Sequence, residues 1–198
     1  MSATATDSVP VTAATPGRSD RRRFGLIVGA IATTLMLAVA SAPSPFYPLL
    51  EERLNLGSVG IAIAFAVYAV ALLVALLTVG SLSDHLGRRP IVTAGMLLLA
   101  GGVLLLWLAD SAAALYLARI VQGLASGLLI PATSALIADM APVGRPQRSA
   151  LINSVAPMAG LALGTLIAGI LLQTVPDVAA TATFLPLAVI YLLVAGVI

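Results

Sequence analysis

The sequence predicts an all-α membrane protein with six transmembrane helices, and two observations support this prediction. Of the 198 residues, 60% are hydrophobic and only 9% are charged, whereas a soluble domain usually carries about 25% charged residues. The apolar residues are also gathered into runs of the roughly 20 residues that a helix needs to cross a bilayer. A soluble chain of this composition could not cover its own surface, so we expect lipid to be the solvent.

Six apolar runs follow one another along the chain. Backbone polar groups in lipid must be satisfied within their own segment, so these runs predict helices, whereas a barrel would show short alternating strands. The links between the runs are short, which forces successive helices to be antiparallel. The predicted helices are residues 24–50, 59–82, 91–109, 112–140, 150–175 and 178–198.

The N-terminal segment, residues 1–20, has a composition that differs from the rest of the chain. It is rich in Ala, Thr, Ser and Pro, which predicts a disordered cytoplasmic segment before a transmembrane domain of residues 21–198. The arginines and apolar run that follow resemble a secretory signal peptide. That run is longer than a signal peptide needs, and five more runs follow it. We therefore interpret these arginines as the cytoplasmic anchor of the first helix.

The distribution of charge predicts how the chain crosses the membrane. If the N-terminus is cytoplasmic, eight arginines lie inside: Arg18, Arg21, Arg22, Arg23, Arg88, Arg89, Arg145 and Arg148. Only Arg53 then lies outside, and the other outside charges are acidic: Glu51, Glu52, Asp110 and Asp177. This bias follows the positive-inside rule. We expect a multi-pass protein of the plasma membrane with both termini in the cytoplasm.

The most specific stretch of sequence connects the second and third predicted helices. Gly80 lets the second helix approach a neighbour closely, and Gly87 permits a tight turn that a side chain would strain. Asp84 can form charge-assisted hydrogen bonds with the pair Arg88 and Arg89 across the helix junction. The alternative interpretation is an ordinary positively charged loop on the cytoplasmic side.

This stretch resembles the G-x-x-x-D-R-x-G-R-R signature that major facilitator superfamily transporters carry between helices 2 and 3. All the glycines, the aspartate and the arginine pair match, and only His85 departs from it, at a position where the family usually has Arg. The resemblance implies the N-terminal half of such a transporter, a bundle of two inverted three-helix repeats. It also implies that the loop is a cytoplasmic latch on the outward-facing state.

The resemblance adds Asp139 to this latch. Asp139 lies at the end of the fourth predicted helix, where the family has an acidic residue in a charge relay with the loop after helix 2. The resemblance implies that Asp139 pairs with Arg88. The predicted topology places both at the same cytoplasmic depth, which makes this pairing possible. A solvated carboxylate near Arg145 is the alternative interpretation.

The fourth predicted helix carries a charge within the membrane. Arg119 lies about seven residues from its outer end, or roughly 10 Å at 1.5 Å per residue, and should face the bundle interior or a wet cavity. Gln122 and Gly123 share its side of the helix, and Gly123 and Gly127 form a small-xxx-small stripe for close packing. The run resembles the R-x-x-x-G-x-x-x-G motif of proton-coupled members, which implies a role in coupling or in shaping the cavity. An Arg that reaches the outer interface is the alternative.

The fifth and first predicted helices contain further candidates. Pro157, Gly160, Gly164 and Gly169 resemble the G-x-x-x-G-P-x-x-G-G motif of drug/proton antiporters, although Thr165 replaces its Pro and Ala168 one Gly. The glycines could equally form a packing face. Prolines interrupt the end of the first helix, and we interpret the aromatic residues at the helix ends as interfacial anchors. These anchors are Phe46, Tyr47 and Trp107.

Several functions are excluded or disfavoured by what the sequence lacks. The chain has no cysteine, one histidine and no paired carboxylates, so no metal site, cofactor or enzymatic activity is predicted. It has no phosphate-cradling Gly-Lys-Ser/Thr loop either. The pI of about 9.5 does not indicate nucleic-acid binding, because the arginines follow membrane topology. No Asp or Glu lies in the middle of a span, so a proton carrier would lie in residues outside this chain.

The leading hypothesis is secondary active transport of a small molecule by alternating access, with proton-coupled export as the expected form. The expected partners are a small-molecule substrate, the lipid bilayer, and either the missing C-terminal half or a second copy of this chain. Two alternatives stay open. The chain could be an inactive or truncated membrane half, or a half-transporter that works only as a homodimer.

Overall fold

The computed structural model describes residues 16–79, 87–140 and 146–197, and within these ranges the chain is helical with no strand. Side chains 16–22, 79, 88 and 146 lie outside the description. Two short 3-10 turns, Ser44–Phe46 and Pro176–Val178, join helices. The helices are α1 (Pro16–Ser41), α2 (Tyr47–Leu54), α3 (Gly57–Val79), α4 (Arg88–Trp107), α5 (Ala112–Met140), α6 (Pro146–Thr174) and α7 (Ala179–Val197).

Among the described residues, six spans are long and apolar enough to cross a membrane. The first consists of α1 and α2 together, and the others are α3 to α7 in turn. The predicted all-α membrane fold is therefore confirmed. The fourth span has the predicted bounds, and the ends of the others differ by up to a few residues, except at the N-terminus.

The first helix begins at Pro16, within the segment 1–20 for which the sequence predicted disorder. The apolar run marks where the chain enters lipid, but a helix continues beyond that point wherever its backbone can stay hydrogen-bonded. Proline is favourable in the first turn of a helix, because no N–H is needed there. Residues 1–15 lie outside the described part of the chain.

The first span is broken near its end, within the predicted range 24–50, where the sequence analysis noted the interrupting prolines. Regular helix stops at Ser41, and a 3-10 turn over Ser44–Phe46 leads into α2. Pro43 and Pro45 cause the break, since proline has no N–H to donate and its ring obstructs the preceding turn. Asn55 ends α2 in the left-handed conformation, with φ of 52°. The break before α2 turns the chain, and Tyr47 at the start of α2 lies inside the bundle.

The helices pair in the manner expected of two inverted repeats. The first repeat contains α1 to α4, and the second contains α5 to α7. α3 packs against α5, and α6 packs against α1, so the middle span of each repeat packs on the first span of the other. α5 also contacts α4 and α1, which places it at the centre of the bundle.

Glycines bring the helix backbones together at both of these exchanged contacts. A Cβ at Gly123 would collide with the carbonyl oxygen of Tyr68, and one at Gly127 would lie 2.5 Å from the Ala75 Cβ. On the other side of the bundle, a Cβ at Gly160 would collide with the Thr34 carbonyl oxygen. One at Gly164 would collide with α1 in the same way. Each contact thus has two glycines, four residues apart, facing the neighbouring backbone.

Hydrogen bonds reinforce the contact between α1 and α6. The Ser41 hydroxyl donates to the carbonyl oxygen of Leu161 at 2.9 Å, and the Thr34 hydroxyl to that of Ala156 at 3.3 Å. Such interhelical bonds average about 0.6 kcal/mol each in membrane proteins. They supplement backbone packing, which remains the main cause of the association.

The outer helices leave wide apolar faces uncovered. Only 22% of the most apolar stretch is buried in α3 and in α6, against 50% in α4 and α5. Exposed residues on these faces include Val70, Leu73, Leu77, Leu163 and Leu166. Surfaces of this kind are stable only against lipid or another apolar bundle.

Replacing Gly164 by alanine should destabilise the bundle, because the added methyl group must displace the α1 backbone. Overpacking of this kind costs about 1–3 kcal/mol. The matched control is Gly101→Ala in α4, where a Cβ meets nothing within 4 Å and alanine adds up to about 1 kcal/mol of helix propensity. Thermal unfolding in detergent should therefore shift in opposite directions for the two variants. Equal midpoints would contradict close packing at Gly164.

Candidate functional site

The candidate site is built around Arg119 on α5. Its side chain is only 1% exposed, although it lies roughly 10 Å along the helix from Ala112. The guanidinium is therefore enclosed by protein, which agrees with the expectation that it faces the bundle interior. A charge that is buried in this way needs polar partners inside the bundle to offset its lost hydration.

The first partner of Arg119 is an amide. Arg119 Nη1 donates a hydrogen bond to Oε1 of Gln122 at 2.8 Å, one turn further along α5. The Gln122 amide in turn donates from Nε2 to the carbonyl oxygen of Gly102 on α4 at 3.3 Å. This chain of bonds fixes the orientation of the Gln122 amide, with its oxygen toward the cation. It also ties α5 to α4.

Aromatic rings supply the second set of contacts. The guanidinium carbon lies 4.4 Å from the centre of the Tyr68 ring and 5.9 Å from that of Phe65. Both distances are within the range of cation–π attraction, which strengthens when the cation is desolvated. Tyr47 on α2 packs against Phe65, with their ring centres 4.7 Å apart. The Tyr68 hydroxyl donates a hydrogen bond to the Ser126 hydroxyl at 3.2 Å.

Glycines on two helices make these contacts possible. At Gly102, a Cβ would lie 2.8 Å from Cγ of Gln122, so only glycine lets that side chain reach the α4 carbonyl. At Gly123, the α5 backbone meets the Tyr68 carbonyl, which holds the Tyr68 ring at the right height for Arg119. The glycines predicted to pack closely therefore also set the distances within the site.

Two polar atoms in this cluster have no hydrogen-bond partner among the residues that the structure describes. They are the Nε of Arg119 and the hydroxyl of Tyr47, and both are buried. Buried polar groups are nearly always satisfied by protein or by ordered water. These two atoms, on side chains that both contact Phe65, are the part of the cluster that is still able to bind a polar ligand or water.

Within the described ranges, the arrangement holds a cation without a formal counter-charge. An amide oxygen and two π-faces stabilise the guanidinium but do not neutralise it. In a low-dielectric interior such a cation strongly attracts any anion that gains access. Within the described residues, no group of three or more His, Asp or Glu side chains could hold a metal ion.

The predicted latch is described only in part. Gly80, Asp84 and His85 lie outside the described residues. Gly87 has φ of 87° just before α4. A side chain would be strained in this conformation, as expected for the position of Gly87. The side chain of Arg88 is not described, that of Arg89 is exposed, and Asp139 is exposed on the last turn of α5. The Asp139–Arg88 pair and the latch itself stay predictions.

The motif of the fifth predicted helix lies on α6, away from Arg119. Gly160 and Gly164 face the α1 backbone, so packing accounts for their presence. A Cβ at Gly169 would only touch Pro45, at 3.9 Å, and Pro157 lies within the helix, partly buried. The structure does not bring these four residues to the Arg119 cluster.

Sequence analysis missed the aromatic part of the site. Phe46 and Tyr47, interpreted as interfacial anchors, are buried, because the break in the first span turns them inward. Phe65 and Tyr68 were not singled out, although they lie three residues apart in a chain with only four Phe and four Tyr. An aromatic pair at that spacing in a span otherwise made almost entirely of aliphatic residues was the available signal.

Comparison of the sequence with known proteins identifies a family. The sequence model of the Major Facilitator Superfamily matches residues 29–198. The quinolone resistance protein NorA of Staphylococcus aureus is 26% identical over 134 residues, which is 65% of this chain and 33% of NorA. The inner membrane transport protein YajR of Escherichia coli strain K12 is 35% identical over 80 residues, 40% of this chain and 17% of YajR.

The chain therefore spans a third or less of the length of each of these relatives. The family match begins in α1 and runs through every later span. Together with the six apolar helices, it establishes a multi-pass membrane protein. The chain belongs to the major facilitator superfamily.

Proposed function

We propose that this chain forms the N-terminal half of a secondary active transporter, which exports a small molecule across the plasma membrane by alternating access coupled to protons. Membership of the superfamily supports transport, and the similarity to a protein named for quinolone resistance supports export. The substrate and the coupling ion belong to the complete transporter, of which this chain supplies one bundle.

The observation that carries the proposal is the buried Arg119 with its neutral partners. A desolvated cation is costly, at least about 2.5 kcal/mol on insertion scales, and packing alone would be served better by an apolar residue. Its Nε has no partner in the described part of the chain, so the site can still bind an incoming group. A substrate, or a carboxylate that loses its proton, would be attracted when it comes near and released when neutralised.

The uncovered apolar faces of α3 and α6 support a second bundle as partner. That bundle is the C-terminal half or a second copy of this chain, and the substrate binds between the two. Because no carboxylate lies in the middle of a span of this chain, the proton carrier belongs to the partner bundle. At the cytoplasmic end, the loop with Gly80, Asp84 and Arg88 acts with Asp139 as the latch.

Replacing Arg119 by alanine should abolish export while membrane insertion stays normal, because the site loses the one charge that its described residues carry. The measurement is the accumulation of amphipathic probes, one of them a fluorescent quinolone, in cells that express the complete protein. A protonophore should raise accumulation in the wild type and have no effect in the variant.

The matched control for this experiment is Arg148→Ala, which removes an exposed arginine from the cytoplasmic end of α6. It should leave export unchanged. Membrane levels and thermal stability of both variants are measured in parallel, so that misfolding is distinguished from lost function. Wild-type export by Arg119→Ala would remove Arg119 from the mechanism.

Two substitutions of Tyr68 separate the contribution of its ring from that of its hydroxyl. Tyr68→Phe keeps the π-face over the guanidinium and loses only the Ser126 hydrogen bond, so export should stay within about twofold of wild type. Tyr68→Leu removes the cation–π contact, worth about 0.5–2 kcal/mol, and export should fall about tenfold. If both variants behave alike, the ring does not stabilise Arg119 as proposed.

The orientation can be tested with single cysteines, because the chain has none of its own. Asp110 and Gln147 are both exposed, at opposite ends of the bundle. With cytoplasmic termini, an impermeant maleimide should label Asp110→Cys in intact cells and Gln147→Cys only after permeabilisation. The reverse pattern would contradict the proposed direction of insertion.

A further inference from the structure

A second site lies at the end of the bundle where α2, α4 and α6 end and α7 begins. A cleft of about 600 Å³ opens between these helix ends, a volume typical of small-molecule sites. None of the residues of the Arg119 cluster lines it. Its occupant therefore has to be sought separately from the transported substrate.

The inner wall of the cleft is aromatic and fixed in place. Phe46 and Phe184 are both about 5% exposed, and their ring centres lie 5.2 Å apart. Trp107 forms a side wall, held by a hydrogen bond of 3.1 Å from its indole nitrogen to the hydroxyl of Thr181. A preformed apolar wall of this kind accepts a hydrocarbon chain without having to rearrange.

The rim of the cleft carries charges of both signs. Glu52, Arg53 and Asp177 line it, and all three are exposed. Within the described ranges, no hydrogen bond or ion pair joins these side chains to one another. One cation and two carboxylates thus remain available to a ligand, above an apolar wall.

We propose that this cleft binds an aminophospholipid from the adjacent leaflet. Arg53 would hold the phosphate, because a guanidinium matches phosphate oxygens with parallel N–H groups. Glu52 and Asp177 would accept hydrogen bonds from the primary ammonium, which has three donors. The first part of an acyl chain would lie on Phe46 and Phe184. This inference does not rest on transport activity.

The position of the cleft favours a lipid over a soluble ligand. Its lining comes from the ends of membrane spans, where tryptophan is commonly found at the headgroup level. Lipids are the most abundant molecules at that depth, and the cleft needs both a charged head and an apolar tail. A choline headgroup has no N–H for the carboxylates, and an anionic lipid without an amine would leave both of them unpaired.

Trp107 is the sole tryptophan of the chain, so its fluorescence reports occupancy directly. Phosphatidylethanolamine, phosphatidylcholine and phosphatidylglycerol with brominated acyl chains are titrated separately into the purified chain in detergent. Half-maximal quenching should need about tenfold less phosphatidylethanolamine than either other lipid, the effect of one or two charge-assisted hydrogen bonds.

Charge variants locate the effect in the cleft. Glu52→Gln combined with Asp177→Asn should abolish the preference for the amine lipid, and Arg53→Gln should weaken all three phospholipids. The matched control, Glu51→Gln with Asp110→Asn, removes the same charge from the same end of the bundle but not from the lining. It should behave like the wild type. Ala180→Phe fills the cleft without altering its charge and should also abolish the preference.

Four results would overturn the proposal. Equal quenching by the three lipids, or an unchanged preference in the Glu52/Asp177 variant, would mean that no headgroup is recognised there. Stronger quenching by phosphatidylglycerol would mean that Arg53 alone dominates. Displacement of phosphatidylethanolamine by tetraphenylphosphonium, with tighter binding of that cation after Arg53→Gln, would assign the cleft to organic cations.

Discussion

The close contact between α5 and α3 is the constraint on which the rest of the bundle depends. At Gly123 and Gly127 the two backbones meet without room for a side chain, which sets the distance between the helices. Lipid provides no hydrophobic force to drive helices together, so association depends on dense van der Waals contact. α1 and α6 meet the same requirement with Gly160 and Gly164. The two exchanged contacts bind each repeat to the other and keep α5 central.

This contact also makes a buried arginine tolerable. Because Gly123 abuts the Tyr68 carbonyl, the Tyr68 ring is held 4.4 Å from the guanidinium. Gly102 performs the equivalent task on α4, where it lets the Gln122 amide bridge the cation to a backbone carbonyl. Fixed dipoles and ring faces thus replace part of the lost hydration. A larger residue at either glycine would move these groups away and leave the charge without stabilisation, so packing and electrostatics at this site cannot be varied separately.

The sequence predicted the features that each span determines alone and missed those that arise between spans. In lipid a span must satisfy its own backbone hydrogen bonds, so apolar runs were enough to find all six spans, and the burial of Arg119 followed from the cost of its charge. The aromatic residues around Arg119 were missed because Tyr47, Phe65 and Tyr68 lie far from Arg119 along the chain. They come near it only through the packing of α2, α3 and α5. Tyr47 shows the cause most clearly: an aromatic at a span end usually marks the interface, but the turn at Pro43 directs this one inward.

The short helix α2 connects the two sites physically. Its first residue, Tyr47, packs in the Arg119 cluster, and Glu52 and Arg53 near its end line the cleft between α2, α4, α6 and α7. The turn at Pro43 separates α2 from the regular helix of α1, so α2 is a helix of its own and not a continuation of α1. Linkage between two sites is reciprocal. If a ligand in the cleft favours one position of α2 and thereby changes the affinity of the Arg119 cluster, a ligand at the Arg119 cluster must change the affinity of the cleft by the same factor. A rigid α2 would make that factor one, so lipid binding measured with and without a ligand at Arg119 reports directly whether α2 moves.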